Sequence, residues 1–273
     1  MRTRRSWLGV MGLAFFASLI LPVLCQAGEA GPVLQDTLNA ITKRGELLVA
    51  CQDYYPPWGY RDAQNNNVGM DIDIAHELAN ELKVKLTLLP VPSAPDKINF
   101  LLSGKADVAI ANITATLARW RVISFTNPYV IDGQGVVYRK ELNIKSWADL
   151  NGKRLAVSTG STGEILAKRE APKANFQNFD QASTALLSVQ QGKADAYVQD
   201  YTYTVYHANR DPKTLAYLDK PLAYAPYSFA IRKYDQEWRD YLNFFIYRLH
   251  QTGKMKELYK KHFGEEPKIT PTW

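Results

Sequence analysis

The sequence predicts an α/β protein built from two similar lobes. Short apolar runs of strand length alternate with helical segments along most of the chain, which is the pattern of parallel sheets covered by helices. One motif occurs twice, each time where a helix gives way to a strand. The composition agrees, because 273 residues with 46% hydrophobic and 22% charged side chains suit one large domain or two smaller ones and exclude a disordered or collagen-like chain.

The first 27 residues predict a signal peptide. Arginines at positions 2, 4 and 5 precede the apolar segment 7–24, and the small residue Ala27 marks the cleavage position. An uncleaved membrane anchor is the alternative, since the apolar segment approaches the length of a spanning helix. The arginines also leave open whether export follows the general or the twin-arginine route. Either route predicts a periplasmic protein.

Removal of this leader changes the charge and the cysteine count. The chain has 33 basic and 27 acidic residues, and the leader holds three arginines and no acid, so the mature chain carries 30 − 27 = +3. Cys51 is then the one remaining cysteine, which excludes a disulfide framework. A charge this small and this scattered predicts no nucleic-acid partner.

Regular elements can be assigned in order along the first half of the mature chain. The helix near Asp71 carries Ile74, Leu78 and Leu82 at intervals of four, which predicts one buried stripe, and Asp71 is placed to cap it. The predicted elements are a helix ending at Arg44, a strand at Glu46–Cys51, the helix near Asp71, a strand at 84–89, a helix at Asp96–Leu102 and a strand at 107–111.

The repeated motif predicts a second lobe like the first. Segment 102–109 (LSGKADVA) is echoed by segment 189–196 (VQQGKADA), and in both copies a helix ends at Gly-Lys and Ala-Asp opens a strand. A helix stop of this kind before a strand can arise twice by chance. Further strands predicted at 153–158 and Asn175–Phe179 favour the two-lobed interpretation.

Sequence motifs for cofactor chemistry and hydrolysis are missing. There is no Gly-x-Gly-x-x-Gly, no phosphate loop and no Gly-x-Ser-x-Gly. The four histidines at 76, 207, 250 and 262 lack metal-ligand spacing. Cys51 ends an apolar strand, which predicts a buried, inert thiol. We therefore expect no cofactor, no metal and no catalytic residue.

The ends of the strands indicate where a ligand binds. Ligands of open α/β sheets lie beyond the carboxyl ends of the strands. If two lobes face each other, the segments 52–58, 112–119, 158–163 and 199–203 line a cleft between them.

These segments bring opposite charges together. Arg119 offers a planar guanidinium suited to a carboxylate, and Ser161 and Thr162 begin a helix whose free N–H groups favour the same anion. Asp200 is suited to an ammonium group. A site for an anion and a site for a cation at close range are typical of a pocket for an α-amino acid, although each residue alone has an ordinary structural explanation. Two aromatic residues in a Pro-rich loop, Tyr55 and Trp58, are expected to stack on the ligand's side chain.

Seven segments then resemble a known family in both order and spacing. They are GELLVA (45–50), YPPW (55–58), GMDIDIA (69–75), SGKAD (103–107), TATLAR (114–119), FTNPY (125–129) and GKAD (192–195). Together they are similar to family 3 of the bacterial extracellular solute-binding proteins, the periplasmic receptors of polar amino-acid ABC importers. The sequence departs from the family pattern at Leu117-Ala118 and at Ser124, where the family has Pro-Glu and Asp, and these positions flank the site.

The resemblance implies a type II periplasmic binding protein fold, with two α/β lobes joined by a two-strand hinge. The chain would cross between lobes near 132–136 and 225–228, so residues 28–135 and 226–273 form lobe 1 and residues 136–225 form lobe 2. It further implies a monomeric receptor, not an enzyme, that hands its amino acid to a membrane permease. The implied carboxylate contacts are Arg119, Thr114, Asn112, Ser161 and Thr162, the ammonium contact is Asp200, and the aromatic cover is Tyr55.

The class of amino acid depends on two further positions. Members that bind cationic amino acids carry an acid where Gln52 stands, which disfavours lysine, arginine or histidine. Members that bind aspartate or glutamate tend to carry an arginine where Lys97 stands. Lys97 would meet a side-chain carboxylate, or else it is a solvated surface lysine. We expect an acidic or neutral polar amino acid.

Two other functions stay open. The fold also resembles that of the periplasmic cyclohexadienyl dehydratases, in which a cleft carboxylate acts as general acid on a substrate like prephenate. Asp200 has no second acid nearby in the sequence, which favours an ammonium partner over catalysis. A sensory or adaptor module is the other alternative, and it would need a separate signalling partner.

Overall fold

The computed structural model describes residues 36–272, so the predicted signal peptide at 1–27 lies outside the described residues. The helices are Thr37–Arg44 (α1), Met70–Leu82 (α2), Asp96–Leu102 (α3), Leu117–Trp120 (α4), Thr162–Glu170 (α5), Ala182–Gln190 (α6), Tyr201–Arg210 (α7), Gln236–Gln251 (α8) and Lys254–Phe263 (α9). The strands are Glu46–Cys51 (β1), Tyr54–Tyr55 (β2), Gly59–Arg61 (β3), Asn67–Val68 (β4), Lys85–Pro90 (β5), Val108–Ala109 (β6), Ser124–Arg139 (β7), Arg154–Ser158 (β8), Asn175–Phe179 (β9), Ala196–Asp200 (β10), Leu215–Tyr217 (β11) and Leu222–Ile231 (β12). Among these helices none is long and apolar enough to cross a membrane.

A nine-stranded sheet runs through the described part of the chain. Its order is β5-β1-β6-β12-β7-β10-β8-β9, with β11 beside β7. Strand β1 is parallel to β5 and β6, and β8 is parallel to β9 and β10. The long strands β7 and β12 are antiparallel to each other and link the two parallel groups. The predicted alternation of strands and helices is confirmed in both groups.

The predicted crossings fall inside the two long strands. In the register of β7 against β12, Asp132 lies opposite Ala225 and Ile131 lies opposite Pro226. The chain therefore passes between the two parallel groups along a pair of hydrogen-bonded strands, the arrangement expected of a two-strand hinge. The lobe boundaries at 135/136 and 225/226 stay a prediction.

The repeated motif builds the same contact twice. The backbone N–H of Leu48 donates to Asp107 Oδ2 at 2.9 Å, and that of Arg154 donates to Asp195 Oδ2 at 2.9 Å. Each aspartate thus joins the turn before its own strand to a neighbouring strand, β1 in one case and β8 in the other. The repeat reflects a structural need that occurs once in each parallel group.

Both copies also end the preceding helix in the same way. Gly104 follows α3 with a φ of +71°, and Gly192 follows α6 with a φ of +72°. This left-handed conformation strains other residues and is adopted freely by glycine. The predicted helix stops are confirmed.

The predicted cap of the helix near Asp71 is wrong. Helix α2 begins at Met70 after Gly69, which places Asp71 in the first turn. Its side chain is buried and accepts a hydrogen bond from Tyr129 Oη at 2.6 Å. Asp71 therefore ties α2 to β7 instead of capping the helix.

Candidate functional site

A small cavity, which we call the cleft cavity, lies where six strands end. Chain segments following β1, β5 and β6 form one wall, and segments following β8, β9 and β10 form the other. The space between them is about 40 Å³, so the two walls contact each other closely. The cavity is lined by Gln52, Tyr54, Tyr55, Ala94, Lys97, Asn112, Thr114, Arg119, Ser158, Ser161, Thr162, Asp180, Ala182, Gln199 and Asp200. The structure brings eight of the nine predicted site residues into this lining.

Asp200 is the central acid of the cleft cavity. It ends β10 and is 6% exposed. Its Oδ2 atom accepts hydrogen bonds from Tyr55 Oη and from Asn112 Nδ2, both at 2.7 Å, and its Oδ1 atom accepts one from Gln134 Nε2 at 3.0 Å. Burial raises the pKa of Asp200 above its ordinary value, and the hydrogen bond from Tyr55 opposes this shift. Three donors therefore converge on one buried carboxyl group.

Lys97 lies in the same cavity, so the alternative of a solvated surface lysine is wrong. It is 8% exposed because α3 turns it inward toward the end of β6. Its Nζ atom donates to the carbonyl oxygen of Ala111 at 2.8 Å and to Asn112 Oδ1 at 3.2 Å. Burial lowers the pKa of Lys97 to about 8.

Asn112 joins the two charged side chains. Its amide accepts from Lys97 through Oδ1 and donates to Asp200 through Nδ2. Its φ is +41°, a left-handed conformation that costs energy in a residue other than glycine. This backbone geometry directs the amide between a cation and an anion, where both of its polar atoms find partners.

Arg119 stands at the other side of the first wall. Thr116 caps the short helix α4 by accepting from the Arg119 N–H at 3.2 Å. The Arg119 guanidinium donates through Nη1 to the carbonyl oxygen of Thr114 at 2.9 Å, and burial lowers its pKa. This contact leaves further N–H groups of the guanidinium for an acceptor in the cavity.

The start of α5 belongs to the opposite wall. Ser161 is its N-cap and accepts from the Glu164 N–H at 3.0 Å. Thr162 is the first helical residue, and its Oγ1 atom accepts from Gln134 Nε2 at 3.4 Å. The N-terminus of this helix favours negative charge through its unpaired N–H groups and its dipole.

The two predicted aromatic residues have different places. Tyr55 lines the cavity, where its hydroxyl donates to Asp200 and its ring stacks on Tyr203 with the centroids 4.4 Å apart. Trp58 does not line the cavity, so its predicted stacking on the ligand is corrected. It is fully buried and packs edge-on against Tyr227 and Phe263, because the loop turns it toward the long strands and α9.

Several residues of the lining were not among the predicted contacts. Gln52, Tyr54, Ser158 and Gln199 fall inside the segments predicted from the strand ends. Asp180 directly follows β9, so the same rule applied to that strand identifies it. Ala94 and Ala182 give no chemical signal in the sequence.

The histidines and the cysteine take no part in this cavity. The described residues include no group of three His, Cys, Asp or Glu side chains arranged to hold a metal ion. Cys51 is fully buried, and burial raises the pKa of its thiol to about 12, which keeps it protonated and unreactive.

Comparison with known proteins identifies the family. The profile of the bacterial extracellular solute-binding proteins, family 3, matches residues 47–265. The L-cystine-binding protein TcyJ of Escherichia coli is 25% identical over 265 residues, which is 96% of each chain. The cyclohexadienyl dehydratase of Pseudomonas aeruginosa is 25% identical over 250 residues, 89% of this chain and 92% of that one. A crystal structure of a mutant of ArgBP from T. maritima is 33% identical, with a TM-score of 0.79 over 84% of this chain and 100% of the other.

These similarities confirm the predicted two-lobed α/β fold of the type II periplasmic binding proteins. The chain belongs to family 3 of the bacterial extracellular solute-binding proteins.

Proposed function

We propose that this protein is the periplasmic receptor of an ABC importer and captures a polar L-amino acid, acidic or neutral, between its lobes. The receptor would act as a monomer and deliver the amino acid to the membrane permease. One observation carries the proposal. A buried carboxyl group, Asp200, and two cationic side chains, Lys97 and Arg119, line one cavity between two walls of the fold. A free amino acid presents the complementary pair of charges at one carbon atom.

The backbone of the ligand would be held from both walls. Its α-carboxylate would bind Arg119 and Thr114 on one side and the α5 N-terminus, with Ser161 and Thr162, on the other. Its α-ammonium would bind Asp200, whose three hydrogen bonds all come from donors and so favour the ionised, accepting form. Hydrogen bonds to charged groups contribute about 1.5 to 3 kcal/mol each. Three or four of them are enough for the roughly 8 kcal/mol of a micromolar site.

Entry of the ligand would require the lobes to move. The space of about 40 Å³ between the walls is too small for an amino acid to pass between side chains already in contact. We therefore place the motion at β7 and β12, with residues 28–135 and 226–273 as lobe 1 and residues 136–225 as lobe 2. Closure around the ligand excludes water and strengthens each contact between charges.

The side chain of the ligand would face Gln52 and Lys97. The Gln52 Oε1 atom is buried without a hydrogen-bond partner among the described residues. A ligand N–H group would satisfy this acceptor, and a ligand oxygen would accept from Lys97. A carboxamide side chain supplies both the N–H group and the oxygen, and a carboxylate supplies the oxygen alone. The Lys97 ammonium repels a cationic side chain. Because relatives bind ligands as different as cystine and arginine, family membership alone does not select the ligand.

Calorimetry of the purified protein with each of the twenty L-amino acids tests the proposal. We expect binding of glutamine, asparagine, glutamate or aspartate, and loss of that binding in Arg119→Ala. The matched control is Arg121→Ala, which removes an exposed arginine two residues away and should keep the wild-type affinity. Equal affinity in wild type and Arg119→Ala would overturn the site, and preference for lysine or arginine would overturn the ligand class.

A second candidate function is dehydration of a substrate like prephenate. The observation that favours it is the buried carboxyl group of Asp200 with its raised pKa, a property shared by general acids. Incubation with prephenate or arogenate distinguishes the two functions. We expect neither phenylpyruvate nor phenylalanine to form, and formation of either at a rate that Asp200→Asn abolishes would establish the enzyme.

A further inference from the structure

A chain of hydrogen bonds runs behind the cleft cavity. Trp58 Nε1 donates to Thr202 Oγ1 at 3.0 Å, and Thr202 Oγ1 donates to Asp132 Oδ2 at 2.7 Å. The Tyr227 hydroxyl donates to the same carboxylate oxygen at 3.1 Å. An indole N–H can only donate, so Trp58 donates to Thr202, and the one proton of the Thr202 hydroxyl goes to Asp132 when that carboxyl group is ionised.

The members of this chain come from different parts of the fold. Trp58 lies between β2 and β3 in proposed lobe 1, and Thr202 lies in the first turn of α7 in proposed lobe 2. Asp132 and Tyr227 lie on β7 and β12, the two strands that link the lobes. Separation of the lobes would carry α7 away from the β2–β3 loop and break the bond between Trp58 and Thr202.

The chain lies outside the cleft cavity, but Asp132 is near Asp200: burial, and after it the Asp200 carboxylate, raise the pKa of Asp132 to about 7. Trp58, Thr202 and Asp132 do not line the cleft cavity. Asp132 and Thr202 instead line a cavity of about 650 Å³ between α7 and α9, which we call the hinge cavity. Trp58 is 0% exposed and Asp132 is 7% exposed, whereas Thr202, which joins them, is partly exposed at the hinge cavity.

We propose that Trp58, Thr202 and Asp132 form an interlobe latch that favours the closed lobes without touching the ligand. The proposal rests on the receptor function and the lobe boundaries proposed above. Thr202 is a positioning residue, since it acts on the ligand only through the closed arrangement. The latch consists of protein groups alone, and it therefore stabilises the closed arrangement whether or not an amino acid is bound.

The latch would set affinity through the closed population. If only the closed molecules bind the ligand tightly, the apparent dissociation constant rises as the closed fraction of the molecules falls. Loss of the latch bond also leaves the indole N–H of Trp58 buried and unpaired whenever the lobes close. We expect the ratio of closed to open molecules to fall about tenfold without it, which corresponds to about 1.4 kcal/mol.

Distance measurement between two spin labels tests the latch without an added amino acid. A groove next to the cleft cavity shares Thr114, Arg119 and Thr162 with it. Asn99→Cys on α3 and Arg169→Cys on α5 place labels at exposed positions on opposite walls of this groove. Cys51 is fully buried and stays unlabelled. Double electron–electron resonance should resolve a short, closed component in the otherwise wild-type protein, and Thr202→Val, which keeps the shape and removes the hydroxyl, should reduce its ratio to the open component about tenfold. Thr202→Ser should restore the ratio.

A second variant reads the same bond from its other end. Trp58→Phe removes the indole N–H, so it should lower the ratio as Thr202→Val does, and the double variant should lower it little further, because both remove one interaction. Any one of three results would overturn the latch. The ratio of closed to open molecules in Thr202→Val could equal that of wild type, the effects of the two variants could be additive, or the wild type could show no closed component.

Failure of the receptor function would be visible separately. Arg119→Ala in the labelled protein should keep the ratio of closed to open molecules measured without amino acid. It should lose the further closure that L-glutamine produces in the wild type. If Thr202→Val lowers the ratio of closed to open molecules but no amino acid binds to the protein, the latch is supported and the receptor function is refuted.

Discussion

Replacement of Asp200 by asparagine separates ligand binding from folding. Asparagine has the shape of aspartate and keeps one carbonyl oxygen for hydrogen bonds, but it has no charge. In the structure the carboxylate accepts from Tyr55, Asn112 and Gln134, and burial raises its pKa. Burial makes the ionised group costly, the hydrogen-bond donors and Lys97 offset part of that cost, and a cationic ligand would offset more of it.

The expected loss of affinity follows from the change in hydrogen-bond class. A bond to a charged group contributes about 1.5 to 3 kcal/mol, and a bond between neutral groups about 0.5 to 1.5 kcal/mol. The difference of about 1 to 2 kcal/mol corresponds to a dissociation constant roughly 5 to 30 times higher. Calorimetry with the amino acid that the wild type binds most tightly measures it directly.

The control variant and the melting temperature complete the test. Asp180→Asn removes a second carboxylate from the exposed rim of the same cavity and should change the affinity by less than about twofold, because water screens exposed charges. The melting temperature of Asp200→Asn at pH 8 should equal or exceed that of wild type. An unchanged affinity, or equal losses in the two variants, would refute the assignment of Asp200 to the ammonium group.

Two further predictions concern stability. Asp71 is 1% exposed, and burial raises its pKa to about 7, so its contribution to the free energy of unfolding is fully present below about pH 4 and is lost as pH rises through 7. Asp71→Asn stays neutral, so in urea unfolding it should remove on the order of 3 kcal/mol of the decline in stability between pH 4 and pH 8. Parallel stability profiles of variant and wild type would contradict this prediction. Gly163→Ala should lower the melting temperature although alanine favours helices, because the new Cβ would lie 2.9 Å from Gln134 Oε1 and 3.1 Å from the Val198 carbonyl oxygen. Lys168→Ala, on the exposed side of α5, is the control and should have little effect. A higher melting temperature of Gly163→Ala would show that Gln134 and Val198 move to make room.

Much of the site could be predicted because its position depends on topology. Parallel strands bring their carboxyl ends to one edge, so the residues after β1, β6, β8 and β10 are neighbours whatever their packing. Arg119 and Asp200 follow from this rule and from their charge. The helix stop and strand start at each Gly-Lys-Ala-Asp segment could also be predicted, because both depend on residues that are close together in the sequence.

Side-chain direction could not be predicted in the same way. Trp58 and Tyr55 occupy one Pro-rich loop, and no periodicity in that loop shows which ring faces the cleft cavity and which faces the core. Lys97 lies on a short helix, where a lysine is ordinarily solvated. Its burial depends on Asn112 and the carbonyl oxygen of Ala111, which lie about fifteen residues away along the chain and offer it two acceptors. Only tertiary packing reveals such a partner.

The contacts of Asp200 bear on how tightly any ligand binds. One oxygen of this carboxyl group already accepts from Tyr55 and from Asn112, both on the wall opposite to it. An ammonium group at this oxygen has to replace or share these bonds, so the measured affinity is a difference between two sets of hydrogen bonds and not the sum of the new ones. The same bonds keep the buried carboxyl group satisfied while the lobes are together. A site of this kind gains its selectivity from charge, because a neutral donor on a ligand offers Asp200 nothing that Tyr55 and Asn112 do not already provide.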